Sequence, residues 1–226
     1  MKVLSWNCNQ VLKKKIQAIE SASSDIMVFQ ECENIEEDFF AGYRFFWTGR
    51  NDHKGLGILV RDKSARLSTS FQSKFVYFLP VETDDINILG VWAFNHRVTK
   101  FGEGLSGNPL EALKHYKPWL QEKDKGFVVG DFNNSVIWDK HGKSSNFWDI
   151  NEFLESLDFK SVYHQASGDA FGKEAIATLY HTKQKSKPYH IDYIYQKGFK
   201  TRSIEISEFE DCISLSDHMP VCGNFE

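Results

Sequence analysis

Asn7, Glu31 and Asp131 each close a short apolar run, namely Val3-Leu4, Ile26-Met27-Val28-Phe29 and Phe127-Val128-Val129. Such runs read as buried strands. A carboxylate or amide at the end of a buried strand is costly to desolvate without a partner. Three such ends suggest one shared polar site at the mouth of a sheet, where sites of α/β proteins sit. Glu31 offers carboxylate oxygens. Beside amide oxygens and water, these suit a hard cation such as Mg²⁺ or Mn²⁺. Asn7 could ligate, orient a water or hold a neighbouring carboxylate. Asp131 and Asn133, one residue apart, point the same way along an extended segment. The acid can orient or deprotonate a water, and the amide can donate to an oxygen of a developing phosphorane. Ser216-Asp217-His218 adds an imidazole for proton transfer near neutral pH. A carboxylate on one ring nitrogen would fix its tautomer. Strand neighbours face opposite ways, so Asp217 need not be that carboxylate; Asp131 or another acid could supply it. His96 also follows an apolar run, Ile88 to Phe94, and could serve the leaving oxygen or a phosphate oxygen. Together these groups describe hydrolysis of a phosphate ester.

A second set is suited to gripping substrate. The stretch from Thr178 to Tyr193 reads as two strands flanking a loop with Lys183, Lys185 and Lys187 at alternate positions. That hairpin could lean over the site and meet phosphates. His190 and Asp192 share one face of the returning strand, where they could support the site or contact substrate. Asn9, Thr178, His181, Lys183, Lys185, Lys187, His190 and Asp192 are the candidate substrate contacts. Each motif also has an ordinary reading: a salt-bridged strand end at Glu31, a Gly-Asp turn at 130–131, a capped surface histidine at 96, a solvated basic turn at 183–187.

The elements that must position these groups follow from periodicity. Strands are expected at 2–7 and 25–30 around a helix at 10–22, with Leu12, Ile16 and Ile19 on its inner face. Short strands follow near 43–48, 55–61, 75–81 and 86–94. Asn108-Pro109-Leu110-Glu111 starts a helix that runs to about 122 and feeds a strand at 126–131. A helix at 147–157 carries Ile150, Phe153, Leu154 and Leu157 at core spacing. Strands near 161–164, 176–181, 189–195, 203–208 and 219–225 complete the chain. Many strands with few helices imply an α/β (α+β) sandwich, sheets inside and helices outside. The loop from Phe101 to Gly107 reads as a lid or a connector.

Composition bounds the rest. The chain has 226 residues and no linker, low-complexity tract or repeat, which implies a single domain over 1–226. Net charge is −4, with a pI near 6.1. That excludes the basic footprint of a protein that coats nucleic acid, and leaves any grip on a polyanion to a local patch or bound metal. Four cysteines lack CxxC spacing, so a structural zinc site is not expected. No run is long enough to span a membrane, and Met1-Lys2-Val3 leads straight into the first strand, so a cytoplasmic monomer is expected. Nineteen Phe read first as core.

In this order the motifs resemble the endonuclease/exonuclease/phosphatase superfamily, in the manner of its compact bacterial members. The likeness runs from Ser5-Trp6-Asn7 through Phe29-Gln30-Glu31, Phe94-Asn95-His96, Gly130-Asp131-Phe132-Asn133 and Ile191-Asp192-Tyr193-Ile194 to Ser216-Asp217-His218. It implies a four-layer α/β/β/α sandwich with two central mixed sheets. It also implies Mg²⁺ (or Mn²⁺) held by Glu31 with Asn7 and Asp217. Asp131 would position the water, Asn133 stabilise the phosphorane, His218 contact the phosphate or act as base, and His96 assist the leaving group. Asn9 stands where AP endonucleases carry an acid, which disfavours that substrate class. The long insertions of eukaryotic lipid and inositide phosphatases are missing.

The expected activity is therefore a metal-dependent phosphodiesterase or nuclease acting on DNA or RNA. A small-molecule phosphomonoesterase or phosphodiesterase on the same site stays open. So does a retired binding scaffold, although such a chain would be expected to lose Glu31, Asp131 or His218.

Overall fold

The computed structural model describes residues 1–18, 23–102, 104–142 and 146–226. Its strands are β1 (Lys2–Asn7), β2 (Ile26–Cys32), β3 (Arg44–Asn51), β4 (Lys54–Val60), β5 (Arg66–Leu67), β6 (Phe78–Glu82), β7 (Ile86–Trp92), β8 (Thr99–Phe101), β9 (Gly104–Ser106), β10 (Lys125–Asp131), β11 (Lys160–Ser161), β12 (Leu179–Tyr180), β13 (Pro188–Tyr189), β14 (Asp192–Lys197), β15 (Thr201–Ile206) and β16 (Val221–Phe225). The helices are α1 (Leu12–Lys15), α2 (Leu110–Gln121), α3 (Phe147–Glu155), α4 (Val162–Ser167) and α5 (Phe209–Cys212).

Two six-stranded sheets form, in the orders β15-β16-β1-β2-β4-β3 and β11-β14-β10-β7-β6-β5. Each is mixed, with one parallel pair at its centre, β1 with β2 and β7 with β10. Alternation along the strands sorts side chains into three apolar layers. Val3, Val28, Ile58, Ile88, Val129 and Ile194 fill the space between the sheets. Leu4, Trp6, Phe29 and Leu59 face outward under Leu12 and Ile16. Leu89, Val128, Tyr193 and Tyr195 face outward under α2 and α3. The result is the expected four-layer sandwich. Among the described residues no helix is long and apolar enough to cross a membrane.

Several expected elements take another form. Within the described part of 10–22 the expected helix is α1 followed by a 3-10 turn, Ile16–Ala18, and residues 19–22 lie outside the described residues. Asn9, Gln10 and Val11 all have left-handed φ and delay its start. Ile19 lies outside the described residues. The strand expected at 161–164 is only Lys160–Ser161; the Ser161 hydroxyl meets His164 Nδ1 at 2.7 Å and the chain turns into α4. The strand at 75–81 starts at Phe78, because Tyr77 has φ +66°. The 101–107 loop is in part a small hairpin, β8 with β9.

Residues facing between the sheets become polar at one end of the sandwich. Asn7 continues the face of Val3, Asp131 that of Val129, and Asp192 that of Ile194. Gly130 lets two backbones meet there. Its φ is +153°, and a Cβ would fall 1.8 Å from the Val91 carbonyl oxygen. Gly130→Ala should therefore lose about 3 kcal/mol of stability or more, through strain and a backbone clash that cannot rotate away. Urea unfolding measures this, and an unchanged midpoint would contradict the close β7–β10 approach.

Candidate active site

Strand pairing sets the centre of the site. On β10 and β14, Asp131 lies directly opposite Asp192. On β10 and β7, Asp131 lies beside Trp92. Both aspartates are fully buried, at 0% and 1% exposure. Two buried carboxylates this close need donors and positive charge.

Asp131 is held by amides. Its Oδ2 accepts from Asn7 Nδ2 at 3.0 Å and from Asn133 Nδ2 at 2.9 Å, and its Oδ1 accepts from the Asn133 backbone at 2.8 Å. Asn7 comes from the other sheet, so this bond bridges the two sheets. Asn133 also donates to the Ala93 carbonyl at 3.1 Å. Both hydrogens of its side-chain amide are then in use. Asn133 thus orients Asp131, where the sequence reading had it donate to a phosphorane.

His218 supplies the charge. Its Nδ1 donates to Asp192 Oδ2 at 2.9 Å, and its Nε2 lies 4.0 Å from Asp131 Oδ2. The backbone around it is fixed: His218 N–H donates to Ser216 Oγ, and its carbonyl accepts from Trp6 Nε1. Ser216 Oγ donates in turn to the Asn7 carbonyl at 2.7 Å. Burial opposes charge on His218, but the Asp192 and Asp131 carboxylates outweigh it and push its pKa up to about 10. Burial, then the facing Asp192, push Asp131 up to about 7 against the pull of His218. Asp192 is therefore the carboxylate bonded to the His218 ring, which fits the supporting rather than the substrate-contact role that the sequence left open.

Glu31 stands at a β-bulge between β2 and β4, with φ +59°. The bulge breaks the alternation and leaves the carboxylate half-exposed. Lys54 Nζ sits 2.8 Å from Glu31 Oε2 and 5.3 Å from the Trp92 ring. Asn9 joins the remaining oxygen donors: its N–H donates to Asn7 Oδ1 at 3.2 Å, and its Nδ2 reaches Asp217 Oδ1 at 3.5 Å.

The chemistry of these oxygen groups is of the kind that suits a hard divalent cation. Glu31 and Asp217 offer carboxylate oxygens, Asn7 an amide oxygen that also accepts from Asn9 N–H, and Glu31 already attracts a cationic group. Asp131, Asp192 and His218 also bring ligand-capable atoms within 4.8 Å of one another. Their contacts with Asn7, Asn133 and each other occupy most of those atoms, so the group is arranged as an acid–imidazole–acid chain.

The remaining candidates scatter. His96 is exposed, its Nδ1 on the Arg97 carbonyl at 2.8 Å and its ring stacked on Phe94, outside the network of Asp131 and His218. Thr178 is fully buried and its hydroxyl accepts from the Ile191 and Asp192 backbones, so it supports Asp192 and cannot meet substrate. His190 does not share the Asp192 face. The regular strand begins only at Asp192, and His190 packs on Tyr163 and Tyr193 with Nδ1 on the Ile176 carbonyl. Lys185 is paired with Glu210 in an exposed ion pair. Lys183 reaches the Ser214 carbonyl at 3.4 Å. His181 and Lys187 are exposed in the same loop. Three contributors had no sequence signal: Lys54, Trp92, and Lys15, whose Nζ ties down the Cys8 and Asn9 carbonyls.

Neither a protein-family model nor a curated protein matches the chain. Solved structures do. A 3′ phosphatase from Neisseria bound to product DNA hairpin superposes with TM-score 0.72 at 17% identity, covering 100% of this chain and 99% of that one. An AP endonuclease from Archaeoglobus fulgidus gives 0.69 at 16%, covering 100% and 99%. An endonuclease/exonuclease/phosphatase family protein from Leptotrichia buccalis gives 0.62 at 16%, covering 100% and 99%. The chain has the fold of the endonuclease/exonuclease/phosphatase superfamily.

The Lys54 ammonium competes with any cation at Glu31. Lys54→Met should tighten Mn²⁺ binding about 5-fold or more, since two positive charges a few ångströms apart repel by about 1–4 kcal/mol in water-like to surface dielectrics. Mn²⁺ titration followed by electron paramagnetic resonance reads this, and unchanged or weaker binding would place the metal elsewhere.

Proposed function

We propose that this chain is a divalent-metal-dependent phosphoesterase that uses water as nucleophile, with phosphodiester bonds of nucleic acid as the leading substrate. The observation that carries the reading is the buried chain Asp131–His218–Asp192, with Asp131 bonded to two amides and His218 Nε2 open to a ligand.

Glu31, with Asn7 and Asp217, would hold Mg²⁺ or Mn²⁺. When bound, the metal neutralises charge on the phosphate and in the transition state. The remaining steps belong to side chains. Asp131, oriented by Asn7 and Asn133, keeps lone-pair capacity on Oδ1 to accept the proton of the attacking water. His218, held as an imidazolium by Asp192, donates from Nε2 to a phosphate oxygen as negative charge grows there. The second hydrogen of Asn7 Nδ2 takes the donor role expected of Asn133. The fold's neighbours include a phosphatase and an AP endonuclease, which supports phosphoester chemistry. Lys15, Lys54 and Lys183 near the site support a polyanionic substrate despite the acidic total charge.

Hydrolysis should be measured with Mg²⁺ and Mn²⁺ over single- and double-stranded DNA, RNA, a bis-aryl phosphodiester and an aryl phosphomonoester. EDTA should abolish it. His218→Ala and Asp131→Asn should each lower kcat by about 10²- to 10⁴-fold. Activity that survives either substitution would sink the assigned roles. A preference for the aryl monoester would replace the nuclease reading with the small-molecule one.

A further inference from the structure

Arg50, Ser73, Lys74, Val76, Phe101 and Gly104 line a cavity of about 400 Å³ where the end of β3 meets the β8–β9 hairpin. The volume lies within the range of sites that bind small organic groups. Its lining is unusual for a bare surface hollow. The Arg50 guanidinium lies 4.2 Å from the centroid of the Phe101 ring, and Phe101 is still 40% exposed. Lys74 lies over Phe75 at 4.9 Å. Neither Arg50 nor Lys74 forms an ion pair with a described residue. The backbone here is held: Leu105 N–H donates to the Lys74 carbonyl at 2.6 Å and Val76 N–H to the Leu105 carbonyl at 3.2 Å.

The cavity is linked to the active site through packed and sequence-adjacent residues. Val76 precedes Tyr77, which packs on Trp92 at 4.3 Å, and Trp92 lies beside Asp131 in the sheet. On the other side Arg50 precedes Asn51, which pairs with the Lys54 that reaches Glu31. An aromatic surface with unpaired cations around it is the chemistry that binds unpaired nucleotides: a base stacks on the ring and the phosphate meets the cations.

We propose that this cavity is a second subsite, which takes an unpaired nucleotide of a single DNA strand whose scissile phosphate lies at Asp131 and His218. The base stacks on the open surface of Phe101, and the adjoining phosphate pairs with Arg50 and Lys74. This rests on the phosphoesterase reading above and extends it to single-stranded DNA.

The test compares a short thymidylate oligonucleotide with bis(p-nitrophenyl) phosphate, which carries neither a nucleobase nor an adjoining phosphate. Phe101→Ala should raise KM for the oligonucleotide about 5- to 100-fold, the range of a lost base–aromatic stack, with the aryl diester unaffected. Phe101→Trp should keep KM near wild type or lower it. Arg50→Ala should weaken oligonucleotide binding and reduce its salt slope by about one. Equal losses on both substrates in Phe101→Ala would show a merely structural role and overturn the subsite. So would an unmoved oligonucleotide KM, or a wild type that cleaves the aryl diester and no oligonucleotide. A wild type that cleaves neither would instead overturn the phosphoesterase reading.

Discussion

Two aspartates placed opposite each other on adjacent strands, both cut off from water, dominate this molecule. Asp131 and Asp192 share one register position and one face. Left alone, such a pair would force a proton onto one carboxyl or push the strands apart. The fold answers with an imidazole between them and amides around them. That arrangement draws His218 from the last loop, Asn7 from the other sheet and Asn133 from the turn after β10. Segments far apart in sequence are thus bound to one point by electrostatics as well as by the apolar layer beneath it.

The cost is visible in the backbone. Asn9, Glu31 and Asn133 all adopt left-handed φ, which is unfavourable for side-chain-bearing residues, though least so for asparagine. Asn9 and Asn133 sit just past the ends of β1 and β10, and Glu31 sits at the bulge near the end of β2. Strand geometry would turn alternate side chains away from the mouth, and a left-handed step or bulge re-aims them. Lys15 and Thr178 brace two of the loops from behind. Rigidity here is what lets a small set of polar groups stay aligned in a site open to solvent on one side.

The sandwich and its polar mouth were legible because apolar runs ending in Asn7, Glu31 and Asp131 leave few alternatives for where those side chains go. His218 was legible as an imidazole in need of an acid, but the identity of that acid was not. Asp192 follows a histidine and a basic loop, and its placement opposite Asp131 is a matter of strand pairing, which periodicity does not encode. His190 was misplaced for a related reason: same-face counting assumes an unbroken strand, and this one starts two residues later. Lys54 carried no signal, since its meeting with Glu31 depends on a bulge in one strand and a hairpin in another. The start of α1 at Leu12 shows the same limit, as three left-handed residues override the helical pattern at its N-terminal end.

The protonation of His218 is the central quantity, because the account needs a buried imidazolium held by two carboxylates. Titration of the His218 ring nitrogens by ¹⁵N nuclear magnetic resonance in metal-free protein reads it directly, with Asp192→Asn alongside. The account predicts an imidazolium across neutral pH that loses its proton only near pH 10, and a marked fall of that value in the variant. A ring that is neutral at pH 7, or one that Asp192→Asn leaves unmoved, would contradict it.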